Sequence, residues 1–312
     1  MIPKFIEKIR QHSAIASGNF AKMFHEIRIP PLPAATARLI AEINKSEPDI
    51  QRLVRIISSD VEFSTKIIRT INSSLYCLPV EVKSIQQAIT LLGLKNVRTI
   101  ALSYTMKNAL PEPKGTLFNH DAFWTDSLIR SLFARTLTAR ILPKDQDEAF
   151  TVMLLSDLAI PILLCVWEEY YSPIIEKWSS APKRLSEIER ENFGWDHSQA
   201  GAWILKSWNF PDELVCYCGA HNLSIREIEE LGISHTLALP LAATSILPSV
   251  IRFNADRLHH FSETVSTVFN ITHEDFQSVT EEVKHNFEIV CKEFEIDVKY
   301  FSLFFETIMN SG

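Results

Sequence analysis

Three side chains in this sequence carry groups suited to acid–base or metal chemistry and fall where a helical fold could gather them. Asp157 lies in an apolar run with Val152, Leu154, Leu155 and Leu158, while His197 and His221 fall on two consecutive helical stretches joined by a short turn at 208–211. If those two helices pack as a hairpin, the histidines come together. A carboxylate in an apolar stripe is costly unless it is paired or bound to a metal. The plainer expectation is that Asp157 caps a neighbouring helix or pairs with an arginine, and that each histidine is a core residue with its nitrogens satisfied. The sequence has no Gly-rich phosphate loop, no GxSxG elbow and no HExxH. Its five cysteines, Cys77, Cys165, Cys216, Cys218 and Cys291, form no CxxC pair. Cys216 and Cys218, two apart on a helix, face different sides. Lys4, Glu7, Lys8 and Arg10 interrupt the apolar N-terminal positions, so no secretory signal is read there. Free thiols in a reducing cytoplasm are expected.

The elements that must position these groups read as helices almost throughout, because apolar residues recur at helical rather than alternating spacing. Only 8 glycines occur in 312 residues, which argues against a many-stranded fold built on hairpin turns. A short amphipathic start (Ile2, Phe5, Ile6, Ile9) precedes the rigid run Pro30-Pro31-Leu32-Pro33 and a helix from about Ala34 to Asn44. Helices follow from Asp49, from Val61 to Ser74, and from a Ser84 cap to Gly93, with Asn96 expected to cap the next. Pro111, Pro113 and Gly115 mark a boundary. Beyond it helices are read near Asp121–Arg140, Asp145–Leu158, Pro161–Tyr170 and, capped by Ser172, Pro173–Trp178. Ser186 and Glu189 have capping-box spacing, and Asp196 can cap a helix to Trp208. Three segments result: an N-terminal helical subdomain at 1–114, a helical bundle at 115–250 and an acidic helical extension at 251–312.

The net charge of −7 argues against a dedicated nucleic-acid binder. Residues 51–110 carry eight Lys/Arg against three Asp/Glu, and 256–300 carry four against ten. Solvated helix faces account for most such asymmetry. Residues 231–251 lack any charged side chain and approach a membrane span in length, but Gly232, His235, Pro240 and Pro248 make a buried core segment the expectation, with no membrane insertion. Ser84–Gly93 followed by Leu94–Met106 has the outline of a helix-turn-helix DNA reader. The apolar Val97, Ile100, Ala101 and Leu102 on its second helix suit packing better than a groove.

In order and spacing, several runs resemble the HDOD family, the HD-related output domain of bacterial signalling proteins. They are IPPLP at Ile29–Pro33, Ile57–Asp60 with the next helix, Ile71-Asn72-Ser73 before Tyr76, SIQQAITLLG at Ser84–Gly93, Phe123-Trp124 with Ser127, and HSQAGAWILKSWNFP at His197–Pro211 followed by His221. The resemblance spans about Ile29 to Leu223 and implies an all-α, HD-like fold. Its catalytic relatives, the HD phosphohydrolases, hold metal through a helix His, an adjacent His-Asp pair and a distal Asp. Matched to that pattern, the first His is Asp126, the pair reads Ser156-Asp157, and the distal Asp falls near Ala243 or Thr244. A serine hydroxyl is a weak neutral ligand and does not replace an imidazole. A leftover set of Asp126, Asp157, His197 and His221 would still offer enough donors for a single divalent ion. The resemblance therefore implies a non-catalytic regulatory module, with no required cofactor, acting through a protein partner in bacterial signal transduction. A metal-dependent phosphohydrolase with a residual site is the first alternative, and a DNA-binding regulator the second.

Overall fold

Side-chain caps set about half of the helix starts in the structure, a computed structural model that describes residues 29–45, 47–73, 75–76, 78–294, 296 and 301–310. The amphipathic start at Ile2, Phe5, Ile6 and Ile9 lies outside those residues, as does Cys77. The first segment holds α1 (Ala34–Ile43), α2 (Ile50–Ser58), α3 (Val61–Asn72), α4 (Ile85–Leu92) and α5 (Leu94–Ala109). Asp49, Asp60 and Ser84 each accept a hydrogen bond from a first-turn backbone N–H of α2, α3 and α4, the usual service of an N-cap. Asn96 does not cap α5. That helix starts directly after Gly93, whose φ of 83° makes the turn, and the Asn96 amide donates back to the Leu92 carbonyl.

The middle of the chain forms α6 (His120–Ile141), α7 (Gln146–Ser156), α8 (Ala159–Val166), α9 (Glu168–Ser180), α10 (Leu185–Phe193), α11 (His197–Ser207), α12 (Asp212–Ala220), α13 (Ile225–Glu230) and α14 (Ala238–Ser245). Two helix boundaries differ from the sequence expectation. The chain breaks at Trp167 rather than after Tyr170, and Pro173 sits inside α9 instead of opening a helix of its own. In α10 the helix starts one residue before Ser186, so Ser186 and Glu189 are buried interior positions rather than a capping box. The C-terminal part forms α15 (Ala255–Phe269), α16 (His273–Glu293) and α17 (Phe301–Met309). No strand occurs among the described residues, so the fold is all-α.

The 22-residue α6 is the axis of the molecule. It packs along α7 on one side and along α16 on another, while α14 closes a third. Phe133 of α6, Phe261 of α15 and Phe276 of α16 meet edge-on with centroids 5.3 and 6.0 Å apart. Helix α5 lies against α7, α1 and α4 with Val97, Ile100, Ala101 and Leu102 buried, so the outlined DNA-reading helix is a core element. The stretch 231–251 contains only the eight-residue, buried α14. Among the described residues the one run long and apolar enough to cross a membrane is Gln146–Val166, and 83% of it is buried inside the fold.

Candidate functional site

Helices α7, α11 and α12 deliver the three chemical groups to one point. Asp157 follows the last residue of α7, His197 opens α11 and His221 follows α12. The α11–α12 hairpin packs its two helices together, as the short turn requires. Both histidine Nε2 atoms then stand 3.3 Å from Asp157 Oδ1, and the three donor atoms lie within 4.8 Å of one another. The expectation that the two histidines meet holds, and so does the expectation that Asp157 pairs with an arginine. Arg130 of α6 donates to Asp157 Oδ2 at 2.7 Å and to the Leu247 carbonyl at 3.2 and 3.0 Å.

Each histidine is fixed from behind. Glu189, fully buried on α10, receives the His197 backbone N–H at 2.9 Å and the Nδ1 atom at 2.6 Å, while Tyr171 of α9 donates its hydroxyl to the other carboxylate oxygen. Gly194, at φ 76°, ends α10 and lets the chain turn back so that α11 begins beside Glu189. Burial opposes a charge on His197, but Glu189 and then Asp157 outweigh it and raise its pKa to about 10. Asn222 Nδ2 stands 2.9 Å from His197 Nε2, so this amide and a proton on Nε2 compete for one direction. His221 Nδ1 lies 2.7 Å from the Cys218 carbonyl, which turns its buried Nε2 toward Asp157. Asp157 is held well below the usual carboxylate range: burial pushes upward, but the two histidines and Arg130 overcome it.

Asp126 lines the same cavity but is not one of the three converging groups. Its Oδ1 accepts from the Val250 backbone N–H at 2.7 Å, and burial lifts its pKa to about 6 against the pull of Arg130. Ser156 donates to the Val152 carbonyl within its own helix. Ala243 and Thr244 are buried on α14, and Thr244 is bonded to carbonyls of that helix. The four-ligand set Asp126, Asp157, His197 and His221 is thus reduced to three. The residues do not fit the metal centre of an HD hydrolase. Asp157 gives one oxygen to Arg130, His197 Nε2 faces Asn222, and the positions of the missing histidine and the distal acid supply no donor. A single ion held by Asp157 Oδ1 and the two Nε2 atoms would have to displace Asn222 from His197 and would sit beside the Arg130 charge.

Arg130, Glu189, Asn222 and Tyr171 escaped the sequence reading as site residues. Arg130 could have been found, since it follows Asp126 by four positions and so shares its helix face. Around the cluster opens a cavity of about 540 Å³, walled by Phe118, Phe123, Leu164 and Trp178 and edged by charged side chains.

A helical bundle with a carboxylate and histidines at the joint of three helices defines an HD-like domain in which the metal ligands have been altered. The chain belongs to the HDOD domain family, whose model matches residues 29–223. Similar folds occur in a Shewanella amazonensis SB2B protein provisionally named a phosphohydrolase (TM-score 0.64, 22% identity, 85% of this chain and 94% of that one). An HDOD domain protein of unknown function from Geobacter sulfurreducens is also similar (TM-score 0.61, 16% identity, 95% and 99%). In sequence, 60 residues are 38% identical to the uncharacterized protein YuxH of Bacillus subtilis, covering 19% of this chain and 15% of that protein.

Proposed function

We propose that this chain is a non-catalytic regulatory module of bacterial signal transduction, acting in the cytoplasm through contacts with a protein partner. The observation that carries the reading is Arg130. Its guanidinium occupies one oxygen of the only carboxylate retained from the HD pair, so the positive charge a hydrolase takes from metal is here supplied by the chain itself. Membership of the HDOD family supports the signalling role.

The test has two arms. Phosphomonoesters and cyclic dinucleotides are incubated with the full chain with and without Mn²⁺, Mg²⁺ or Fe²⁺, and no turnover above background is expected. Turnover that disappears in Asp157→Ala would overturn the reading. In the second arm, a partner captured from native lysate must bind the purified chain directly and saturably; failure there removes the protein-contact half of the proposal. The residual-metal alternative has one observation in its favour, the convergence of Asp157, His197 and His221, and metal analysis of the chelator-treated and reloaded protein separates it.

A further inference from the structure

The arginines that line the cavity differ in what they bind. Arg130 has a carboxylate. Arg184 donates to Asn222 Oδ1 at 2.8 Å, to Ser245 Oγ at 2.9 Å and to the Ser245 carbonyl at 3.2 Å. Arg252 lies 4.2 Å above the Trp178 ring and donates to the Ala181 carbonyl, and its Nη1 is buried with no hydrogen-bond partner. Arg257 donates to the carbonyls of Pro182, Arg252 and Ala181. Among the described residues none of these last three forms an ion pair.

Neutral oxygens satisfy the geometry of a guanidinium but leave its charge uncancelled, which is unfavourable away from water. The strain shows at Arg184, where burial first and the neighbouring Arg130 charge second lower the pKa to about 10. Glu187 and Asp196 offset part of it, but neither forms an ion pair with Arg184. Glu187 accepts from the Arg184 backbone N–H at 3.0 Å, and Asp126 accepts from Val250. His221, whose Nε2 stands 3.3 Å from Asp157 Oδ1, borders the same cavity. The remaining wall is apolar and aromatic, and the volume of about 540 Å³ suits a metabolite-sized molecule.

We infer that this cavity is a binding site for a small organic oxyanion, a carboxylate or phosphate attached to a ring-sized apolar body, taken up without turnover. The planar forks of Arg184 and Arg252 match either oxyanion through paired charge-assisted hydrogen bonds, and Phe118, Phe123 and Trp178 cover the body. An anion set among these arginines offsets the repulsion of Arg184 by Arg130 and of Arg252 by Arg257. The site gives the regulatory module something to sense, and it rests on the reading above only in excluding turnover.

Isothermal titration of the full chain with phenyl phosphate, benzoate and inorganic phosphate tests this. At least one organic probe should bind saturably and at least tenfold more tightly than inorganic phosphate, and which one binds identifies the oxyanion. Arg184→Gln should weaken that binding at least tenfold with the helical circular dichroism unchanged. If Arg184→Gln does not fold, Arg252→Gln provides the same comparison. No saturable binding by either organic probe overturns the inference, as does binding that the folded variants leave intact. Binding accompanied by phosphate release that needs Asp157 would keep the site and overturn the non-catalytic reading instead.

Discussion

Arg130 and Asp157 share a hydrogen bond of 2.7 Å with side chains only 16% and 12% exposed, so Asp157 is the carboxylate that balances Arg130, and Arg130 adds to what His197 and His221 do for Asp157. Arg130→Ala should cost about 2–4 kcal/mol, because the buried Asp157 then keeps only the two histidines as partners; denaturant melts measure this. It also frees the second oxygen of Asp157, so Zn²⁺ or Mn²⁺ should raise the melting temperature of that variant and leave the native protein unmoved. Equal responses would show that Arg130 does not govern the pocket. Asp126 offers the opposite sign. Its pKa is about 6 in the fold against 3.8 when free, so its charged form opposes folding above pH 6 and the penalty vanishes below pH 4. Asp126→Asn keeps an acceptor for Val250 and should stabilise the protein at pH 7 by about 1–3 kcal/mol, with the gain lost near pH 4. His197 behaves as a base with a raised pKa. The stability of its charged ring is fully present below about pH 6.5 and lost as pH rises through about 10. Glu189→Gln should shrink that alkaline loss, as melting temperatures from pH 6 to 10 would show. The sequence made Asp157, His197 and His221 visible because their types are rare in apolar runs. It hid Glu189, whose position three after Ser186 imitates a capping box, and Asn222, an ordinary surface residue until the α11–α12 hairpin turns it inward.

At the scale of elements, local chemistry was the most legible part. Ser84 and Asp196 cap where their spacing places them, and Asp49 caps the helix read as starting there; Ser84→Ala should cost about 1 kcal/mol of stability in a thermal melt. The errors lie where packing overrides a local signal. Pro173 is accommodated inside α9 because Tyr171, Ile174 and Ile175 are all buried on that helix. The basic character of 51–110 also looked like a free surface. Lys95 instead bridges Asp145 at 3.0 Å and Glu148 at 2.7 Å, and Lys107 donates to the Phe294 carbonyl. Lys95→Glu would place a third acid beside those two, near Glu213, whose pKa is already raised by burial and then by Glu148 and Asp145. A melting-temperature loss equivalent to about 1 kcal/mol is expected, shrinking in high salt. A partner-binding defect in this variant would therefore have to be judged against its stability.

Over the whole molecule, core residues from all three sequence segments join one continuous apolar cluster. Helix α16 buries Phe276, Val279, Val283 and Phe287, and the Phe294 ring stacks on Tyr104 of α5 at 4.2 Å. Helix α16 packs on α6 and α3, so it covers part of the family-matched stretch 29–223. A chain cut after residue 254 should expose that apolar face and lose its cooperative melt. A sharp transition near the full-length value would contradict this.

The same contact sets a schedule for synthesis. Thr136 of α6 and Glu282 of α16 hydrogen-bond across 146 residues of chain. At roughly 5–20 residues per second on the ribosome, α6 waits roughly 7–30 s before its covering helix exists. During that interval the apolar side of the central helix faces solvent, so a holding chaperone has a defined client surface and a defined time in which to bind it.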